Sequence, residues 1–302
     1  MMAFAFGPAK RSLVRKILAL TFMHLRLLSA LFVASVSSGW AQSAATPTFA
    51  LANFSLRARL DVPQALVVGG SLAGGSGTIL FRAAGPVLSQ FGVVGAPNPR
   101  LQVFGGNGAE IAANEDWAAT LAPQFAAVGA FPFPANSRDA AIAQPLNGTF
   151  TAHARVDAPG DVLLEVYDPA LAFPRRLTNI SARLRVGNGQ AAILGFVTAG
   201  TGSKRLLVRA VGQTLGLFGV AGTMSNPTLQ VYDGARREIA ANDNWDSALD
   251  ADFRAVNAFQ LPALSTDAAL SLTVSAGNAY TVHVSGADLQ GGEVLIELYE
   301  LP

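Results

Sequence analysis

The chain carries nearly the same message twice, and that constrains its fold more than any other feature. Leu51-Ala52-Asn53-Phe54-Ser55-Leu56-Arg57 returns as Leu177-Thr178-Asn179-Ile180-Ser181-Ala182-Arg183. Ile111-Ala112-Ala113-Asn114-Glu115-Asp116-Trp117 returns as Ile239-Ala240-Ala241-Asn242-Asp243-Asn244-Trp245. The offset drifts by only a few residues from Asn53/Asn179 through Arg82/Arg209 and Trp117/Trp245 to Tyr167/Tyr299. Solenoid repeats of roughly 20 to 50 residues cannot bury a core alone, whereas a unit of roughly 125 residues can. The sequence therefore predicts two tandem domains, 48–168 and 177–302, with 169–176 as a short stiff linker containing two prolines and Arg175-Arg176.

The segment 1–41 has no counterpart in the repeat and reads as a cleaved signal peptide. Leu27 to Ser37 is an apolar, small-residue run behind His24 and Arg26, and Gly39-Trp40-Ala41 offers small residues at the two positions a signal peptidase reads. Met23 is an alternative start that gives a compact signal. The run is too short for a membrane span before Ser37, Ser38 and Gly39 dilute it. The expected product is exported, periplasmic or extracellular, with no membrane segment after cleavage. It has no cysteine, so it is held by core burial rather than disulfides. The net charge of +1 includes the basic leader, and no Lys/Arg stripe interleaved with aromatics marks a nucleic-acid partner.

Within each copy, Tyr280-Thr281-Val282-His283-Val284, Arg183-Leu184-Arg185-Val186 and Leu229-Gln230-Val231-Tyr232 alternate apolar and polar residues, the mark of half-buried strands. Leu206-Leu207-Val208 and Val294-Leu295-Ile296 are apolar throughout, as expected of strands covered on both faces. Glycine and asparagine turn signals recur at short intervals between them. The pattern predicts an all-β fold of antiparallel sandwiches, jelly-roll or immunoglobulin-like, with one short helix per copy near Asp246 to Asn257 and after Trp117.

Three constellations are candidates for chemistry. Asn242, Asp243 and Asn244, with Asp233 and Asp267, supply oxygen ligands that suit calcium; equally, Asn and Asp in such a turn cap the following helix and bond their own loop. Arg82 and Arg209 end apolar strands, where an arginine binds an anion or pairs internally. Asp139 and Asp267, each in a Ser-x-Asp-Ala-Ala segment, are the expected internal partners. His153 and His283 occupy equivalent outward positions and lack partners at zinc-ligand spacing. No nucleophile elbow or cysteine marks an enzyme, and Trp117 and Trp245 are expected to pack rather than to form a sugar platform.

Both copies resemble a repeat module of large secreted bacterial proteins. The shared pattern is Leu-x-Asn-x-Ser-x-Arg, Gly-Phe-Val, Leu-x-Arg-Ala-x-Gly-Pro, Phe-Gly-Val, Asn-Asp-Asn-Trp, Ser-x-Asp-Ala-Ala-Leu and a closing Glu-Val-Tyr. The first copy departs from it at Asn114-Glu115-Asp116-Trp117 and lacks a clear Gly-Phe-Val. From Asp233 through Tyr280 to Tyr299 the chain is also similar to the bacterial pre-peptidase C-terminal domain, a β-sandwich appended to secreted enzymes. These resemblances imply a noncatalytic role in surface or matrix attachment or in spacing. The alternative is a carbohydrate-binding or calcium-stabilised accessory module, with a polysaccharide or a surface protein as partner.

Overall fold

A computed structural model describes residues 48–171 and 173–302; the expected signal segment, 1–41, lies outside them. The first repeat contains β1 (Phe49–Leu60), β2 (Ala65–Ala84), β3 (Pro99–Gly105), β4 (Glu110–Asn114), helix α1 (Ala122–Ala127), β5 (Ala140–Val156) and β6 (Gly160–Tyr167). The second contains β7 (Arg176–Val186), β8 (Ala191–Gly200), β9 (Ser203–Val211), β10 (Pro227–Asp233), β11 (Glu238–Asn242), helix α2 (Asp250–Ala255), β12 (Ala268–Ser275), β13 (Ala279–Gly286) and β14 (Gly292–Glu300). The fold is β-rich with antiparallel ladders, as the sequence rhythm predicts, and each repeat carries one short helix.

Period-two patterning does its expected work. In β7, Ile180, Ala182, Leu184 and Val186 are buried while Arg183 and Arg185 are exposed. The unbroken apolar runs have a different cause. Leu206, Val208 and Ala210 of β9 enter the main core, whereas Leu207 and Val211 on the other face enter a second, smaller core with Phe253 and Leu261. The α2 segment roofs that outer face, so both sides of the strand are dry. In the first repeat Phe81 and Ala83 face the main core, and Leu80 and Ala84 face a cluster containing Phe125, Phe131 and Phe133.

Strands β2 and β5 bend, and each serves two ladders. In β2 the pairing shifts between Leu72 and Gly77, and Gly74 takes a φ of +79° at that corner. A side chain on Gly74 would strike the carbonyl of Pro174, so glycine answers both to the conformation and to the close approach. One ladder runs β4, β3, β5, β2, β7, β14, β9, β12. The other runs β5, β2, β6, β1, β8, β13, β10, β11. Each ladder takes half its strands from one repeat and half from the other.

The crossings between repeats are symmetric. Asn53 faces Val197 and Arg57 faces Ile193 across β1 and β8, while Asn179 faces Ser71 and Arg183 faces Val67 across β7 and β2. These are the same pairings with the repeats exchanged. Leu51 and Leu177, equivalent positions, pair with each other and mark the pseudo-two-fold axis. The main core accordingly includes Phe54, Leu56 and Leu66 together with Ile180, Leu194 and Phe196 as one cluster.

The picture of two beads on a short linker is therefore corrected. The first and second strands of each repeat bond to the other repeat, which satisfies edges that would otherwise lie open. The joint is also pinned. Arg175 donates from Nη1 to Asp168 Oδ2 at 3.0 Å and from Nη2 to Asp168 Oδ1 at 2.7 Å, and both residues are buried. Arg176 donates to Glu300 at 2.9 Å on the last strand.

Candidate functional site

The two most completely buried large polar side chains are Arg82 and Arg209, each with zero relative exposure. Strand register puts Arg82 of β2 directly opposite Glu165 of β6, and Arg209 of β9 opposite Glu297 of β14. The resulting ion pairs measure 3.2 Å in both repeats. Tyr167 donates its hydroxyl to Glu165 at 2.8 Å, and Tyr299 donates to Glu297 at 2.6 Å.

The guanidinium is completed from the helix-bearing loop. Arg82 Nη2 donates to the Phe131 carbonyl at 2.7 Å, and Arg209 Nη1 donates to the Phe259 carbonyl at 2.8 Å. Phe125, Phe131 and Phe133 lie 4.1 to 4.5 Å from the Arg82 guanidinium carbon. Phe253 and Phe259 lie 4.6 and 4.3 Å from that of Arg209, and Leu261 stands where the first repeat has Phe133. A desolvated cation between aromatic faces gains quadrupole attraction that partly replaces lost water.

This arrangement corrects the expected pairs Arg82 with Asp139 and Arg209 with Asp267. Both aspartates are fully buried, but they organise backbone instead. Asp139 accepts from Gly85 N at 2.7 Å, Val87 N at 3.3 Å and the Ser137 hydroxyl at 2.7 Å. Asp267 accepts from Gly212 N at 2.7 Å, Thr214 N at 3.3 Å and the Thr214 hydroxyl. Each carboxylate thus holds the start of the 3-10 turn after the arginine strand. The register across the β2–β6 and β9–β14 ladders gives the arginine to the glutamate. The signal for that partner stood in the sequence as Glu165-Val166-Tyr167 and Glu297-Leu298-Tyr299, which close the two copies.

Burial sets the protonation behaviour. It raises the Tyr167 hydroxyl well above its ordinary pKa, and the Glu165 charge adds to the rise. Tyr299 is raised for the same two reasons. Burial raises the Glu297 carboxyl, opposed by Arg209, and lowers the Arg209 guanidinium, opposed chiefly by Glu297.

The residues considered for calcium do not converge on one point. Asn242 donates from Nδ2 to the Asn244 carbonyl at 2.8 Å and accepts from Ala269 N at 3.0 Å, tying the turn to β12. Asn114 repeats both bonds to Asp116 and Ala141. Asp233 accepts from Ala235 N, Arg237 N and the Arg237 guanidinium within its own hairpin turn, and the first of its causes of a lowered pKa is the Arg237 backbone bond. Asp267 is buried as described, and the Asp243 and Asn244 side chains are exposed. Among the described residues, no group of three or more His, Cys, Asp or Glu side chains is placed to hold a metal ion. Asp246 caps the 3-10 turn Ser247–Leu249 that leads into α2, accepting from Ala248 N at 2.8 Å.

Trp117 stacks on Phe125 at 5.4 Å and Trp245 on Phe253 at 5.5 Å, both half-buried. His153 and His283 lie on the outer sheet faces, shielded by Phe104 and Tyr232 at 4.6 Å. Burial lowers the pKa of each, with Arg155 and Arg183 adding to the effect at His153.

No protein-family model and no curated protein matches the chain. Among solved structures, it is similar to a putative secreted protein from Eubacterium rectale, with 8% sequence identity and a TM-score of 0.21. The match covers 74% of this chain and 65% of that one, so it spans a little under two thirds of the neighbour's length.

Proposed function

We propose that the protein is an exported, noncatalytic β-sandwich unit that serves in cell-surface or matrix attachment, or in spacing. The observation that carries this reading is the joining of two repeats through paired sheet edges. A pair of sandwiches sharing both ladders resists bending and transmits load through backbone hydrogen bonds rather than through a linker. The arginine, glutamate and tyrosine groups support the same reading, because they bind one another and both arginine–glutamate pairs are buried. No helix among the described residues is long and apolar enough to cross a membrane.

The test is expression of the full tagged chain in a secreting bacterium, followed by fractionation and N-terminal sequencing. A new N-terminus after Ala41 and recovery outside the cytoplasm are expected, together with weaker surface retention of cells that lack the gene. Cytoplasmic accumulation with Met1 intact, or unchanged retention, would contradict the reading.

A further inference from the structure

A cleft of about 520 Å³ lies where the β1–β2 hairpin of the first repeat meets β7 and the loop after the 3-10 turn of the second. Arg59, Gln64, Arg183, Arg185, Phe218 and Glu293 line it. Arg183 and Arg185 project from the same face of β7, about 7 Å apart by strand geometry. All three arginines are exposed, and none of their side chains makes an ion pair or a hydrogen bond among the described residues.

The pseudo-symmetry supplies an internal control. The equivalent of Arg183 is Arg57, which faces Asp161 at 3.8 Å. The equivalent of Phe218 is Phe91, which packs on Phe131 at 5.4 Å within the smaller core. In the second repeat Phe218 is 63% exposed and braced edge-on by Phe259 at 5.1 Å, and its neighbour Leu217 is 75% exposed where the first repeat has Gln90. The fold thus tolerates a paired arginine and a packed phenylalanine at these positions. Arg59 and its equivalent Arg185 are unpaired in both copies, but only the second copy leaves the Arg183 position unpaired as well and exposes the ring.

We infer that this cleft binds a carboxylate-bearing polysaccharide. Guanidinium forks match carboxylates bidentately, and an exposed ring braced by a neighbour offers a face for the C–H side of a sugar. Glu293 and Gln64 accept and donate to hydroxyls. A carboxylate inside the cleft also disfavours a densely charged backbone such as nucleic acid, while a chain with one carboxylate per ring avoids it. The inference deepens the attachment reading by naming the substance gripped.

Affinity electrophoresis of the full chain through gels containing polygalacturonate, its fully methyl-esterified form, or duplex DNA tests this. Retardation by polygalacturonate alone is expected, weakening with added salt. Arg183→Gln combined with Arg185→Gln is expected to weaken it about tenfold or more, since each removes a charge-assisted bond. The melting temperature of that variant stays within a degree or so of the wild-type value, because both side chains are exposed and neither makes an ion pair. No retardation by polygalacturonate, equal retardation by the ester or by DNA, or an unaltered double variant would overturn the inference. Those outcomes leave the fractionation result untouched, so failure of the cleft and failure of export or attachment are read separately.

Discussion

The two repeats differ where they face solvent and agree where they are dry. Arg82, Glu165 and Tyr167 in the first copy match Arg209, Glu297 and Tyr299 in the second, down to the same 3.2 Å ion pair. On the rim, Arg57 has an acidic partner and Arg183 has none, and Phe91 is half-buried where Phe218 is exposed, although each ring meets its equivalent phenylalanine edge-on. The interior tolerates change only in compensated form. Gly70 stands where the second copy has Phe196, and in the first copy the ring of Phe150 occupies the space over that glycine. In the second copy Phe196 and Tyr280 stack at 5.3 Å instead. The lesson is that a desolvated cation fixes its surroundings, whereas a rim arginine is free to acquire a new use.

The largest expected effect comes from leaving a buried cation alone. Glu297→Ala is expected to destabilise by about 3–5 kcal/mol in urea unfolding, with Glu165→Ala somewhat milder because three phenylalanines rather than two surround its arginine. A loss below about 1 kcal/mol in both would break the claim that these pairs organise the core.

Next, Leu177→Ala at the pseudo-two-fold axis removes packing from both repeats at once. It is expected to cost about 2–5 kcal/mol and to lower the stability of the whole molecule in one transition. Separation into two transitions would mean that the repeats are independent.

The third effect is on alkaline stability. Tyr167 and Tyr299 keep their protons in the folded state above the ordinary tyrosine value of 10.0. The unfolded chain therefore binds fewer protons than the native one once pH passes about 10, so stability falls as pH rises from there. Tyrosinate absorbance is expected to lag behind that of a free tyrosine mixture and then to jump with unfolding. Tyr167→Phe and Tyr299→Phe each remove one of the late-titrating groups. Normal titration of both in the folded protein would refute the closed-cluster description.

The smallest effect concerns the rim. Arg183→Gln alone is expected to change stability by less than about 0.5 kcal/mol, because the side chain is exposed and unpaired. Arg57→Gln, which loses the partly exposed pair with Asp161, is expected to cost no more than about 1 kcal/mol. A large loss in Arg183→Gln would show that the side chain supports the fold.

Much of the local structure was legible. Alternation in Arg183-Leu184-Arg185-Val186 marked β7, and the spacing of Leu249, Phe253 and Val256 marked the turn of helix around α2. A tight glycine corner is legible at Gly200-Thr201-Gly202. The sequence points to Asp139 and Asp267 as partners of the buried arginines because they sit in a prominent motif, whereas Glu165 and Glu297 acquire that role only through a register between strands distant in sequence. The crossing ladders were not legible for a related reason. Backbone groups of β1 and β8 bond one another whatever their side chains, so a strand that ends a sheet and one that continues into the next repeat read alike. The cleft is not legible in the sequence because Arg59 and Arg183 come together only through that crossing.

Native-state hydrogen exchange along β1, β2, β7 and β8 tests the central claim most directly. If both ladders run through the two repeats, the amides of these strands exchange as slowly as those of β14 and far more slowly than those of the terminal strand β11. Exchange of β1 and β8 at the pace of β11 would show open edges, and the two repeats would then be separate sandwiches on a linker.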